Sequence, residues 1–180
     1  MMKLLTNQVG NGYRRFRYPT LLIFSGFILS LLLTYLAWPV YGIEISTNHV
    51  ALKTFIIPCD SEIYIDYTHS VEKTSVRDVF EIGRNHHFLL IRTEYSSFGA
   101  GLPTDNFGEF KVVDGIFINS GINQELSNIS LRVGRIANHS LVLEDGRHIY
   151  LKDYAEGGSL VIIKPVKTTR FQAFFIQKED

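Results

Sequence analysis

The chain has 180 residues, with 18 basic and 18 acidic side chains and no net charge, a length that suits one domain of ordinary size or a small domain with an appendage. Residues 1–42 hold four basic and no acidic residues, so residues 43–180 hold 18 − 4 = 14 basic and 18 acidic ones. This acidic main body argues against a nucleic-acid binder. The apolar content of 46% argues against a disordered chain, and the single cysteine excludes a disulfide framework within the monomer.

The first predicted element is a membrane-spanning helix. No charged residue occurs from Tyr18 to Ile43, and the apolar run Leu21–Val40 would span about 30 Å as a helix, the thickness of the hydrocarbon layer. Trp38 and Tyr41 lie where interfacial aromatic residues belong. The chain is therefore divided into a cytoplasmic basic N-terminus (1–18), a transmembrane signal anchor (19–42) and an extracytoplasmic β domain (43–180).

A cleaved signal peptide is the alternative to an anchor. Its apolar region would be about 7–15 residues long, followed by small residues at the cleavage site. The apolar region here is longer, and bulky Tyr35 occupies the −3 position of one candidate site, so we favour an uncleaved, single-pass anchor. Because the four basic residues precede the apolar run, the N-terminus is expected in the cytoplasm and the domain outside the inner membrane of the cell. A tether of about four to eight residues after Tyr41 would connect the two.

The rest of the chain is predicted to be all-β. Short segments rich in Val, Ile, Phe and Tyr alternate with Gly, Asn, Asp or Pro, and Asp114-Gly115 and Asp145-Gly146 are typical of tight turns. Their spacing predicts an antiparallel sandwich or partly closed barrel of about ten short strands. The predicted strands are 50–57, 62–71, 76–83, 86–97, 108–113, 115–119, 129–136, 140–144, 147–152, 159–166 and 171–176.

The hairpin from Ile63 to Ile82 contains the first candidate functional residues. If residues 72–75 form its loop, His69 lies opposite Asp78, and every apolar residue of the same face meets an apolar partner. Such a pair can be a structural contact in which the carboxylate fixes the ring. It can also polarise the imidazole for ligand binding or proton transfer. Its position within an apolar row favours the structural role.

A glycine-rich loop forms the second candidate. Gly99 and Gly101 permit backbone conformations closed to other residues, and Pro103 stiffens the exit. The loop could present amide N–H groups to an anion or serve as a tight connection, and without a following helix the anion signal is weak. Together the two segments supply the candidate ligand- or partner-binding residues, which are His69, Ser70, Lys73, Asp78, Phe98, Gly99, Gly101 and Pro103.

These two segments resemble the family called domain of unknown function 1850. The resemblance is carried by Tyr67-Thr68-His69-Ser70-Val71-Glu72-Lys73-Thr74 with Val76 and Asp78, and by Phe98-Gly99-Ala100-Gly101-Leu102-Pro103. It extends from about Ile43 to Ile163. Members usually have proline at the position of Ser75 and glutamate at that of Asp78, so the acid here is shorter by one methylene.

The resemblance implies a location and a partner rather than a reaction. Members of the family are prokaryotic, usually lack a defined activity, and often lie beside or are fused to TRAP-type solute transporters of the TAXI class. The implied partners are the membrane subunits of such a transporter or its substrate-binding protein.

Enzymatic, metal and cofactor chemistry find little support in the sequence. No His-x-His or Cys-x-x-Cys spacing occurs. His69 and Ser70 are neighbours on a predicted strand, so they point to opposite faces and cannot form a Ser–His pair. We expect no enzyme, no metal and no cofactor.

Three functions follow as hypotheses. The first is a membrane-anchored accessory or docking subunit of a solute transporter. The alternative is a domain that binds a small anionic solute with His69, Asp78, Lys73 and the loop 99–103. The third, and weakest, is a hydrolase or lyase that uses His69 and Asp78 as a base pair.

Overall fold

The computed structural model describes residues 19–47, 50–69, 72–83, 85–97, 108–134 and 136–178. The chain divides into two compact units with the boundary between Leu36 and Ala37. The first described element is helix α1 (Pro19–Ala37), whose large apolar side chains are exposed. It is long and apolar enough to cross a membrane, a property that membrane anchors share with signal sequences.

Helix α1 ends earlier than the sequence predicted. Pro39 has no N–H to donate and disfavours helical geometry in the preceding residue, so the helix ends at Ala37. Strand β1 begins at once, at Pro39, and continues to Thr47. The tether expected after Tyr41 is therefore wrong, and residues 39–42 of the predicted anchor form the first half of a strand.

Eleven strands occur in the described part of the chain, and they form two antiparallel sheets, which confirms the predicted all-β sandwich. The four-stranded sheet has the order β2-β1-β11-β8, and the seven-stranded sheet has the order β10-β9-β3-β4-β5-β7-β6. The strands after β1 are β2 (Val50–Ile56), β3 (Glu62–Thr68), β4 (Ser75–Ile82), β5 (Phe88–Tyr95), β6 (Glu109–Val113), β7 (Ile116–Leu126), β8 (Ile129–Arg132), β9 (Ser140–Leu143), β10 (His148–Tyr150) and β11 (Leu160–Thr169).

Alternating apolar residues of both sheets form the core. In β1, Ile43 and Ile45 are fully buried, and Ile63 of β3 meets them from the facing sheet within one buried cluster. Because successive side chains of a strand point to opposite faces, one apolar residue in two is enough to fill the space between the sheets.

The C-terminal segment predicted as a strand, 171–176, is instead helix α2 (Arg170–Lys178). Thr169 and Gln172 form a capping box at its start. The Gln172 N–H donates to Thr169 Oγ1 and the Thr169 N–H donates to Gln172 Oε1, both at 3.3 Å. This arrangement satisfies backbone N–H groups that a helix start leaves without partners, so the chain turns from β11 directly into a helix.

The two ends of the sandwich can be distinguished by the strand ends that lie there. The Ile57 N–H donates to the carbonyl of Tyr41, and the Asp60 N–H donates to that of Ile82, so the start of β1 lies beside the end of β4. We call this the anchor end, because α1 joins the sandwich there. The opposite end, where β4 begins at Ser75 and β5 ends at Tyr95, is the distal end.

Candidate functional site

The β3–β4 hairpin has a different register from the predicted one. Asp78 lies opposite Ile65, and Val76 lies opposite Tyr67. His69 and Thr74 form the last backbone pair before the turn, since the His69 N–H donates to the Thr74 carbonyl at 2.8 Å. The predicted face-to-face contact of His69 with Asp78 is therefore wrong. The turn of the hairpin is shifted by two residues along the chain from its predicted position. Because the shift is an even number of residues, each side chain of the two strands stays on its predicted face.

His69 and Lys73 shape the turn of this hairpin. The Glu72 N–H donates to His69 Nδ1 at 3.2 Å, and the Lys73 N–H donates to the His69 carbonyl at 3.0 Å. Lys73 adopts the left-handed conformation, with a φ of 57°. The imidazole thus contributes to the geometry of a turn at the distal end, and it does so without Asp78.

Asp78 instead belongs to a polar row that crosses the inner face of the seven-stranded sheet. Thr93 lies opposite it on β5, is buried, and donates from Oγ1 to Asp78 Oδ1 at 2.8 Å. Asn119 lies opposite Thr93 on β7 and is 3% exposed. Among the described residues, its Oδ1 has no hydrogen-bond partner. An unpaired buried acceptor is costly, and this row holds one of the three buried side-chain atoms without a partner among the described residues.

Burial governs the ionisation of Asp78, the ionisable residue of this row. It raises the pKa of the Asp78 carboxyl above its ordinary value, the Thr93 hydrogen bond opposes the rise, and the charge of Asp66 adds to it. The neighbouring Tyr67 is affected in the same direction, since burial and the charge of Asp78 raise its pKa to about 12. The phenol of Tyr67 is therefore protonated at neutral pH.

Tyr67 links the row to His139, a residue that the sequence analysis did not select. The two rings stack with centroids 5.5 Å apart and planes 28° apart. The Gly134 N–H donates to His139 Nδ1 at 3.2 Å, and burial lowers the pKa of His139. A neutral imidazole can both accept this hydrogen bond and stack on the ring of Tyr67. His139 therefore packs between Tyr67 and the backbone at Gly134.

The raised pKa of Asp78 gives a prediction about pH and stability. The folded protein holds this proton to a higher pH than the unfolded chain, so the contribution to stability is complete below the ordinary aspartate pKa of about 4 and is lost as pH rises through the raised value. Asp78→Asn keeps an acceptor for Thr93 and removes the titration. We expect the difference in Tm, variant minus wild type, to grow in favour of the variant from about pH 4 to pH 7 in thermal melts.

Asp66→Asn is the contrasting variant for this prediction, and because the Asp66 charge adds to the raised pKa of Asp78, it should also make that rise smaller. Asp66 accepts two hydrogen bonds of 2.7 Å from the Arg77 guanidinium on the outer face of the same hairpin. Its replacement should cost stability at neutral pH, because it removes the charge of a bidentate pair. An Asp78→Asn variant that loses stability relative to wild type as pH rises would contradict the assignment.

The β3–β4 turn and the last residue of β5 lie at the same end of the sheet. Tyr95, which ends β5, lies opposite Val76 at the start of β4, so both are at the distal end. A shallow surface cavity of about 180 Å³ lies there, lined in part by Ser75, Arg77 and Ser96. Five predicted binding residues lie outside the described residues, namely Ser70, Phe98, Gly99, Gly101 and Pro103.

The described residues contain no cluster suited to a metal ion. No group of three or more His, Cys, Asp and Glu side chains comes together in the part of the chain that the structure covers. The charged side chains of the seven-stranded sheet pair with one another on its outer face, where Arg92 bridges Glu62 and Glu94. Such pairs are typical of a solvated sheet surface.

The fold defines the class of protein as a two-sheet β-sandwich preceded by one apolar helix. Residues 63–150 match the family model described as "Domain of unknown function (DUF1850)", which confirms the predicted family resemblance for this part of the chain. The match is shorter than the resemblance predicted. It covers β3 to β10, and thus the seven-stranded sheet, whereas β1, β2 and β11 lie outside it. No curated protein and no solved structure matches the chain.

Proposed function

We propose that this protein is a membrane-anchored accessory subunit that docks its extracytoplasmic sandwich onto a TRAP-type solute transporter of the TAXI class. The observation that carries the proposal is the direct passage from α1 to β1. Only Trp38 separates the end of α1 at Ala37 from Pro39. One residue spans at most about 3.5 Å, so a domain with such an anchor stays at the bilayer surface.

Closeness to the bilayer favours a membrane partner over a freely diffusing one. Confining a domain to the membrane raises its effective concentration toward other membrane proteins, without any additional contact. The excess of basic residues before α1 supports an N-terminus in the cytoplasm and a sandwich on the other side. The family resemblance supplies the kind of partner, either the membrane subunits of the transporter or its substrate-binding protein.

The distal end is the part of the sandwich that we assign to docking. The β3–β4 turn lies there and β5 ends there at Tyr95, and the family match covers the seven-stranded sheet rather than the strands nearest the anchor in sequence. The transporter would meet the turn that contains His69 and Lys73.

Co-purification tests the proposal. The tagged full-length chain, expressed with the transporter in its native host and extracted in mild detergent, should recover a transporter subunit. A double variant in the distal turn, Glu72→Ala with Lys73→Gly, should recover less of it, because glycine keeps the left-handed conformation while both exposed side chains are lost. Recovery of the anchored protein always alone would overturn the proposal.

Binding of a small solute is the second candidate, and the unpaired Oδ1 of Asn119 favours it. The anionic solute first considered loses its central feature, because His69 and Asp78 do not meet. The unpaired amide oxygen suits a solute that donates a hydrogen bond. Thermal shift with a panel of polyols, amides and carboxylic acids tests this, and a panel without any effect on Tm would reject it.

A further inference from the structure

Helix α2 presents its apolar side chains away from the sandwich. Ala173 is buried, and Ile176 borders the cavity along residues 51–54 of β2, so this side of the helix faces the sheet. On the other side Phe171, Phe174 and Phe175 are 54%, 66% and 53% exposed. A surface helix normally directs its aromatic residues toward the core. We call these three phenylalanines the aromatic face.

The three rings form one contiguous patch. The ring centroids of Phe171 and Phe175 lie 5.1 Å apart, and those of Phe174 and Phe175 lie 5.7 Å apart, both edge-to-face. Three large apolar side chains that contact each other rather than the core mark an interaction site. The sandwich core does not require them, because the sheet side of α2 is already occupied by Ala173 and Ile176.

The position of α2 identifies what covers this patch. Thr169, just before the helix, pairs with Pro39 of β1, and the Arg170 N–H donates to the carbonyl of Trp38 at 3.1 Å. Trp38 follows the last residue of α1 and is 58% exposed. Helix α2 therefore starts beside Trp38, the residue that follows α1 in the chain.

The charge of this segment fits a phospholipid surface. Residues 157–178 contain Lys164, Lys167, Arg170 and Lys178 and no acidic residue, although the domain as a whole is acidic and Glu179 and Asp180 follow. Lys164 pairs with Glu44 at 2.9 Å, so Lys167 and Arg170 are the basic residues nearest the start of the helix that can face a lipid surface. Lys167 and Arg170 are exposed, and Lys167 also lies over the ring of Tyr41. Basic side chains beside exposed aromatic rings are the combination by which short helices bind in the interfacial layer of membranes that contain anionic lipids.

We propose that the aromatic face of α2 inserts into the interfacial layer of the bilayer that α1 enters, with anionic phospholipid as its partner. This inference rests on the proposed membrane anchoring of α1. It gives the domain a second attachment to the membrane, and two attachments restrict the rotation of the sandwich that a single helix would permit. The distal end would then be held at a defined height above the membrane for docking.

Lipid-quenched fluorescence of the full-length chain tests the inference. Trp38 is the only tryptophan, so Trp38→Phe with Phe174→Trp places a single probe on the aromatic face. In vesicles of phosphatidylcholine and phosphatidylglycerol, emission from this probe should shift to the blue. Lipids brominated near the headgroup end of the acyl chains should remove most of its intensity.

Val112→Trp in the same Trp38→Phe background is the matched control. Val112 is exposed on edge strand β6 and pairs with Phe117, which pairs with Tyr95 at the distal end. Its probe should emit as an exposed tryptophan and be insensitive to brominated lipid.

Wild-type Trp38 separates the failure of this inference from the failure of anchoring. If brominated lipid quenches Trp38 but not the Phe174→Trp probe, α1 is anchored and the inference about α2 is overturned. If neither is quenched, both proposals fail. If the blue shift of the Phe174→Trp probe increases with the amount of protein per vesicle and brominated lipid does not quench the probe, the patch contacts a second copy of the chain. That result would also overturn the inference.

Discussion

Replacement of Phe88 by alanine should lower the free energy of unfolding by about 3–5 kcal/mol. Phe88 is fully buried at the start of β5, and its ring meets that of Phe80 edge-to-face with centroids 6.2 Å apart. Truncation removes the apolar surface that the ring buries and leaves a cavity between two sheets that cannot close fully around it.

Urea unfolding of the full-length chain in a mild detergent measures this effect, with Phe174→Ala as the matched control. The same truncation at Phe174, whose side chain is 66% exposed, should change the free energy of unfolding by less than about 1 kcal/mol. Equal losses in the two variants would contradict the assigned core.

Gly108→Ala is also expected to be strongly destabilising. Gly108 has a φ of +102°, and a Cβ added there would collide with the carbonyl oxygen of Ser120 in β7. The strained backbone alone costs about 1–3 kcal/mol, and the collision with backbone, which cannot rotate away, should bring the total loss to about 3 kcal/mol or more. Loss of the pairing between β6 and β7 would follow.

Gly115→Ala separates these two contributions. Gly115 lies in the β6–β7 turn with a φ of +79°, and a Cβ there would meet nothing within 4 Å. This variant should lose only the cost of the backbone conformation, about 1 kcal/mol. Urea unfolding of both variants gives the comparison. If Gly108→Ala were no more destabilised than Gly115→Ala, the close approach of residue 108 to β7 would be wrong.

The sequence predicts most of the strands because their pattern is local. Alternation of apolar and polar residues fixes which face of a strand is buried, and the Asp114-Gly115 turn occurs with a positive φ at both residues. Hydropathy alone could not locate the end of the anchor, because the uncharged run of α1 continues through residues 38–43 into β1. The proline at position 39 was the available signal for that boundary.

The C-terminal helix could also have been found from local chemistry. Thr169 followed three residues later by Gln172 is a capping-box pattern, but Phe174, Phe175 and Ile176 resemble a strand by composition. A helix of nine residues makes only about two and a half turns. This is too few for the 3.6-residue periodicity to outweigh that composition.

The candidate site was predictable only in part. Both registers of the β3–β4 hairpin place the same side chains on the same face, so pattern matching could not distinguish the pairing of His69 with Thr74 from the predicted pairing with Asp78. The contacts of Asp78 with Thr93 and of Tyr67 with His139 join distant segments. Such contacts depend on the order of strands in the sheet, which a single sequence does not specify.

The most direct test of the account is the reaction of one introduced cysteine with a membrane-impermeant maleimide in intact spheroplasts. Cys59→Ser removes the native thiol, and Lys111→Cys places a new one on β6, where the lysine side chain is 64% exposed. We expect labelling before lysis, on a band of full length that sediments with the membrane. Labelling only after lysis, or a shortened band released from the membrane, would contradict an uncleaved anchor that holds the sandwich outside the cytoplasm.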